Sequence, residues 1–63
     1  MRLIRMPEVI KMVGLGKTAI YDRIKDHRFP APIKLGRASA WVESEVQEWI
    51  AERVRQRDGS RSG

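Results

Sequence analysis

Gly14, Gly16 and Pro30 confine residues 17 to 29 to one short helix and its exit. Glycine opens a tight turn on one side, and proline ends helical geometry on the other. Within Gly14-Leu15-Gly16-Lys17-Thr18-Ala19-Ile20-Tyr21-Asp22-Arg23-Ile24-Lys25-Asp26-His27-Arg28-Phe29-Pro30, Ile20 and Ile24 stand four apart and anchor one face. At about 100° per residue, Thr18, Asp22 and Lys25 fall opposite them. This helix, expected from Lys17 to about Asp26, therefore turns a polar face outward, short-armed at its start and basic at its end. Such a face suits an anionic partner.

Upstream, Pro7 fits the first turn of a helix that continues through Glu8, Val9, Ile10, Lys11, Met12 and Val13. Glu8 lies near its positive end, and Gly14 stops it. Two short helices joined by a glycine turn predict a helix-turn-helix. Downstream, Pro30 and Pro32 exclude a helix. Ile33-Lys34-Leu35 and Ala40-Trp41-Val42, placed around Gly36-Arg37-Ala38-Ser39, predict a hairpin of two very short strands. A third helix should begin at Ser44, whose spacing to Gln47 is that of a capping box, with Glu43 and Glu45 adding favourable charge. Its core stripe is Val46, Trp49, Ile50 and Val54. From Arg55 onward no apolar residue occurs, so the chain is expected to fray into a disordered basic tail. The expected organisation is one domain over residues 1–54, mainly α with a small two-stranded β-hairpin, and a tail over 55–63.

A chain of 63 residues can hold only one small domain, and such a domain buries roughly 60% of its unfolded surface for a stability of about 3–5 kcal/mol. No room is left for an enclosed active site. With no cysteine and His27 as the lone histidine, neither a disulfide framework nor a Cys/His zinc site can form within one chain. Thirteen Lys and Arg against eight Asp and Glu give a net charge of +5. On so small a body that excess favours a polyanion. No apolar run approaches the length of a membrane span, and Met1-Arg2-Leu3-Ile4-Arg5 lacks the apolar stretch of a signal peptide. A bacterial cytoplasmic location, without membrane contact, is expected.

Gly16-Lys17-Thr18 invites comparison with a nucleotide phosphate loop, but the full pattern needs a glycine five residues earlier, where Lys11 stands. The carboxylates, including Asp22, Asp26, Glu43, Glu45, Glu48, Glu52 and Asp58, read as helix-start or solvated-face charges, and no nucleophile arrangement is present. No enzymatic activity, cofactor or small-molecule ligand is expected. Trp41, Trp49 and Phe29 read as core, since each lies in apolar periodicity. Tyr21, beside the Ile20/Ile24 stripe, can pack its ring and extend its hydroxyl to a phosphate. Lys17, Arg23, Lys25 and Arg28 on or after one helix, with Lys34 and Arg37 on the hairpin, form the electrostatic footprint of duplex DNA binding.

Four sequence pieces in order carry a specific resemblance: Arg2-Leu3-Ile4-Arg5-Met6-Pro7-Glu8-Val9, Gly14-Leu15-Gly16-Lys17-Thr18-Ala19-Ile20-Tyr21, Arg28-Phe29-Pro30-Ala31-Pro32-Ile33-Lys34-Leu35-Gly36, and Ala40-Trp41-Val42-Glu43-Ser44-Glu45-Val46-Gln47-Glu48-Trp49-Ile50. Over residues 2 to 53 the chain resembles the AlpA family of small prophage regulators, similar to the DNA-binding part of MerR-type regulators and to some phage excisionases. The resemblance implies a winged helix-turn-helix, with the Lys17–Asp26 helix in a major groove and the hairpin over 34–41 as a wing along the backbone or in a minor groove. Family members commonly carry Ser at position 16, Thr at 19, Arg at 22 and Gly at 27, where this chain has Gly16, Ala19, Asp22 and His27. Asp22 puts the usual target sequence in question, because a carboxylate repels phosphate yet accepts a hydrogen bond from cytosine N4.

The function expected on this basis is a sequence-specific duplex DNA-binding transcriptional regulator of prophage or mobile-element origin. Lys17, Thr18, Ala19 and Asp22 would face bases, while Tyr21, Arg23, Lys25, Arg28, Lys34, Arg37 and Ser39 would hold the backbone. The same module would serve an excisionase that bends DNA for a site-specific recombinase, with the recombinase or further copies of the chain as partners. A different class, a protein-interaction module or anti-repressor, would require the Val46/Trp49/Ile50 stripe to be exposed.

Overall fold

The computed structural model describes the backbone of residues 1–62 and the side chains of residues 1–59. Its elements, in chain order, are β1 (Leu3–Ile4), α1 (Met6–Val13), α2 (Lys17–Lys25), β2 (Ile33–Leu35), β3 (Ala38–Val42) and α3 (Glu43–Ser62). This is a winged helix-turn-helix, mainly α with a small β part.

Helix α1 begins where Arg5, in extended conformation, hands over to Met6 with Pro7 in the first turn. It ends at Gly14, whose φ of 74° lies in the left-handed region that glycine enters without penalty. The Gly14 N–H donates to the Ile10 carbonyl at 2.9 Å and so closes the last turn. Two residues later Gly16 is the N-cap of α2, and its carbonyl accepts the Ile20 N–H at 3.0 Å.

The exit of α2 is a Schellman closure. The His27 N–H donates to the Ile24 carbonyl at 3.0 Å, and the Arg28 N–H reaches back to the Arg23 carbonyl at 2.7 Å. His27 occupies the left-handed position of this motif with φ 60°, the one non-glycine residue among those described with positive φ. A side chain there strains the backbone by about 1–2 kcal/mol, offset in part by the greater unfolded-state freedom of glycine. His27→Gly is therefore expected to stabilise the domain by about 0.5–1 kcal/mol, raising the midpoint of a circular-dichroism melt by roughly 3–6 °C. A lowered midpoint would show that the imidazole makes a compensating contact.

The three strands form one antiparallel sheet in the order β1-β3-β2. Hairpin β2–β3 pairs Ile33 with Ala40, Lys34 with Ser39 and Leu35 with Ala38. Its turn is shorter than the sequence suggests, just Gly36 and Arg37, because Gly36 at φ 65° supplies the positive φ that a two-residue hairpin turn needs. Strand β1 is an addition to the expected two-stranded hairpin. Leu3 lies opposite Val42 and Ile4 opposite Trp41, so the chain's start covers the free edge of β3. Arg2 secures this arrangement. Its carbonyl accepts the Glu43 N–H at 2.8 Å, and its guanidinium meets the carboxylates of Glu43 at 2.6 Å and Glu8 at 3.5 Å.

Every helix and two strands meet in one core of Ile4, Val9, Ile20, Phe29, Trp41 and Val46, each no more than 6% exposed. Met6, Ile10, Met12, Val13, Leu15, Ile24, Trp49 and Ile50 pack half-buried around it. Trp41 is fully enclosed, and its indole N–H donates to the Pro30 carbonyl at 3.0 Å, which pins the Phe29-Pro30 turn to the sheet.

Helix α3 departs from expectation in three ways. It starts at Glu43, so Ser44 stands inside its first turn and not at the cap. Val54, assigned to the core stripe, is exposed: it borders an open depression beside Met12, Val13 and Leu15 and does not enter the core. Backbone helix also continues to Ser62 through the stretch expected to be a disordered tail. Pairs of Arg55 with Glu52 and Arg53 with Gln56, each three apart, favour that continuation. Gly63 and the side chains of 60–62 lie outside the described residues.

Candidate nucleic-acid interface

Burial of Ile20 fixes the rotation of α2. Its outward line is Thr18, Asp22 and Lys25, all exposed. Lys17 and Tyr21 lie on the flank nearer the hairpin, while Ala19 and Arg23, both half-buried, lie on the flank nearer α3.

On the hairpin flank, Lys17, Tyr21, Arg37, Ser39 and Arg5 surround one concavity with Trp41 at its floor. The β2–β3 register places Lys34 directly across from Ser39, hence on the same sheet face. Four site candidates from separate parts of the sequence, Lys17, Tyr21, Arg37 and Ser39, thus share one surface, with Lys34 beside it. Arg5 joins them without having been singled out from the sequence. Its proximity depends on β1 pairing with β3, and a two-residue strand leaves no periodic signal. The signal that was available is the second arginine of Arg2-Leu3-Ile4-Arg5, one residue ahead of the α1 start.

The structure does not bring every candidate to that surface. Ala19 is half-buried, and its carbonyl accepts a long 3.4 Å hydrogen bond from the Arg23 guanidinium, which folds back along its own helix. Arg28 closes the Schellman turn and lies on the α3 side, where its carbonyl accepts the Trp49 indole N–H at 2.6 Å.

Charge at the hairpin flank is uncompensated. Among the described residues the ion pairs are Arg2 with Glu8 and Glu43, Arg55 with Glu52, and Arg57 with Asp58. None of Arg5, Lys17, Lys25, Lys34 and Arg37 takes part. No polar or charged side chain among the described residues is buried, so the chemistry on offer is that of an open cationic surface with hydroxyls at Thr18, Tyr21 and Ser39. Such a surface can hold phosphates and meet base edges. Among the described residues no helix is long and apolar enough to cross a membrane.

The chain is similar to known proteins. A protein of Enterobacteria phage P4, described as uncharacterized protein ORF88, is 41% identical over 54 residues, covering 84% of this chain and 61% of that protein. The chain thus spans less than two thirds of the phage protein's length. The DNA-binding transcriptional activator AlpA of Escherichia coli (strain K12) is 33% identical over 61 residues, covering 86% of this chain and 87% of that protein. The family model for the prophage CP4-57 regulatory protein (AlpA) matches residues 2–54, from the arginine that ties β1 to α3 through Val54 of α3, and the chain belongs to the AlpA family.

Proposed function

We propose that this protein is a sequence-specific duplex DNA-binding transcriptional regulator that inserts α2 in a major groove and lays the β2–β3 hairpin along the backbone. The observation that carries the reading is the shared surface of Lys17 and Tyr21 from α2 with Arg37 and Ser39 from the hairpin, its cations unpaired among the described residues. A helix projecting between anchored phosphates presents Thr18 and Asp22 to base edges, while Lys17, on the hairpin flank and off the outward line, joins Tyr21, Lys25, Lys34 and Arg37 in holding the sugar-phosphate chain. Arg5 joins the phosphate set. Ala19 and Arg23, set back on the other flank, contribute less than the sequence alone suggests. The E. coli relative, described as a transcriptional activator, favours transcription over excision as the use of this module. A protein-interaction role for the α3 stripe is disfavoured, because Val46 is fully buried and Trp49 is hydrogen-bonded to Arg28.

Selection of bound sequences from a random duplex pool tests the proposal. An enriched motif, with affinity that falls steeply as salt rises, is expected. No enrichment, or binding indifferent to salt, would refute it.

Asp22 gives a sharper prediction within the same experiment. It is exposed on the outward line of α2, where a carboxylate can accept a hydrogen bond from cytosine N4. Asp22→Ala should change the preferred base at one position by about 1–3 kcal/mol, while affinity for random duplex stays equal or rises as a like charge leaves the phosphates. An unchanged motif would remove Asp22 from the groove.

A further inference from the structure

We propose that α3 carries a second set of phosphate contacts, Arg53 and Arg57, on the side of α2 opposite the hairpin, so that the helix in the groove is anchored to the backbone on both flanks. This inference rests on the DNA-binding reading above and adds contacts that the sequence did not suggest.

Arg23 and Arg28, on α2 and its exit, border a depression shared with Arg53 and Arg57 of α3, and Asp22 and Asp26 lie on its rim. Four cations against two carboxylates leave the depression positive. Arg53 and Arg57 are four apart and therefore on one face of α3. Arg53 is ordered in advance. Its guanidinium carbon stands 5.1 Å from the Trp49 ring centroid, and one of its nitrogens donates to the Gln56 side-chain oxygen at 3.1 Å. The Trp49 ring is itself held, by its N–H bond to the Arg28 carbonyl at 2.6 Å and by an edge contact with Phe29 at 4.9 Å between centroids. A cation stacked on a fixed ring loses less freedom on meeting a phosphate than a free one. Arg57 touches Asp58 at 3.2 Å, but that pair of neighbours is exposed and holds its charge only weakly.

Arg55 provides the contrast. It lies about 200° around α3 from Arg53 and borders a different depression, with Glu48 and Glu52. A hydrogen bond from Arg55 to the Glu52 carboxylate, and the charge of that carboxylate, raise its pKa above the ordinary arginine value. The helix thus carries surplus positive charge toward α2 and compensated charge away from it. A major groove is about 12 Å wide and bordered by a phosphate strand on each side, so a helix within it meets backbone on both flanks. The hairpin serves one flank, and α3 serves the other.

The test compares Arg53→Gln, Arg57→Gln, the double variant and Arg55→Gln by thermal melting and by titration with the selected duplex and a scrambled one between 50 and 200 mM salt. Glutamine keeps much of the arginine stem while removing the charge. Each of the first two changes should reduce the slope of log affinity against log salt by about 0.9, and the double by about 1.8. Both duplexes should weaken equally, and Arg55→Gln should leave the slope unchanged. If Arg53→Gln lowers the melting temperature and leaves the slope alone, Arg53 merely covers Trp49 and the inference fails. An equal loss of slope in Arg55→Gln would also overturn it, since the effect would then be one of net charge. Failure of the parent to bind either duplex would instead refute the DNA-binding reading itself.

Discussion

Replacing Trp41 with alanine is expected to abolish cooperative folding at room temperature. Trp41 stands in the central strand of the sheet, opposite Ile4, with no exposed surface. It is the largest fully buried side chain and the residue through which β3 reaches the shared core of α1, α2 and α3. Its loss would also strand the Pro30 carbonyl that accepts the indole N–H. Truncating a buried tryptophan costs about 3–5 kcal/mol, equal to the whole stability that a domain of this size commands. A circular-dichroism melt of the variant should show no transition. Trp41→Phe, which keeps a ring while losing the hydrogen bond, should remain folded with a lower midpoint. A cooperative transition in Trp41→Ala near that of the parent would mean that the core does not depend on this side chain. Trp49→Ala, by contrast, should remain folded. Trp49 is half-buried, and its removal takes away an edge contact with Phe29 and one hydrogen bond while Val46 still seals the core.

The two tryptophans show where sequence reading stops. Both lie in apolar periodicity, so both read as core, and nothing local distinguishes the one that ends up fully enclosed. The distinction comes from position along α3. Val46, near its start, packs with Trp41 in the shared core, whereas Trp49 is half-buried and Val54 lines an open depression beside Met12 and Val13. Helices α1 and α2 were legible because glycine and proline mark their ends chemically, and those marks act within a few residues. Strand β1 was not, since two residues carry no period and its partner lies about forty positions away. The same non-local pairing hid Arg5 from the candidate site. Legible in turn were Lys17, Tyr21 and Arg37, whose charge or amphipathic character requires a surface wherever the chain takes them. Ala19, expected among the base contacts, and Arg23, expected on the backbone, both lie on the α3 flank. At about 100° per residue, burial of Ile20 with half-burial of Ile24 turns both toward α3, and small apolar Ala19 gave no local reason to prefer either side.

Removing both hairpin cations, as Lys34→Gln with Arg37→Gln, is expected to weaken duplex binding more at low salt than at high salt and to leave the preferred sequence intact. Among the described residues Arg5, Lys17, Lys25, Lys34 and Arg37 are five cations around α2 and the hairpin that take part in no ion pair. If each neutralises one phosphate, their contribution to the slope is about −4.5, which is roughly a 500-fold loss of affinity between 50 and 200 mM salt. Every engaged arginine of α3 would steepen it further by about 0.9. Without Lys34 and Arg37 the contribution falls to about −2.7, and the same salt step costs only about 40-fold. Folding should not change, because both residues are exposed and Gly36, which makes the turn possible, is retained. Thr18 and Asp22, which face the bases in this reading, belong to α2, so the motif enriched from a random pool should match that of the parent. Were the double variant to keep the parental slope, the hairpin would lie away from the backbone and its arginine and lysine would serve solubility alone. Were it to lose the motif but keep the slope, the hairpin would read bases in a minor groove, and specificity would be divided between the two halves of the fold.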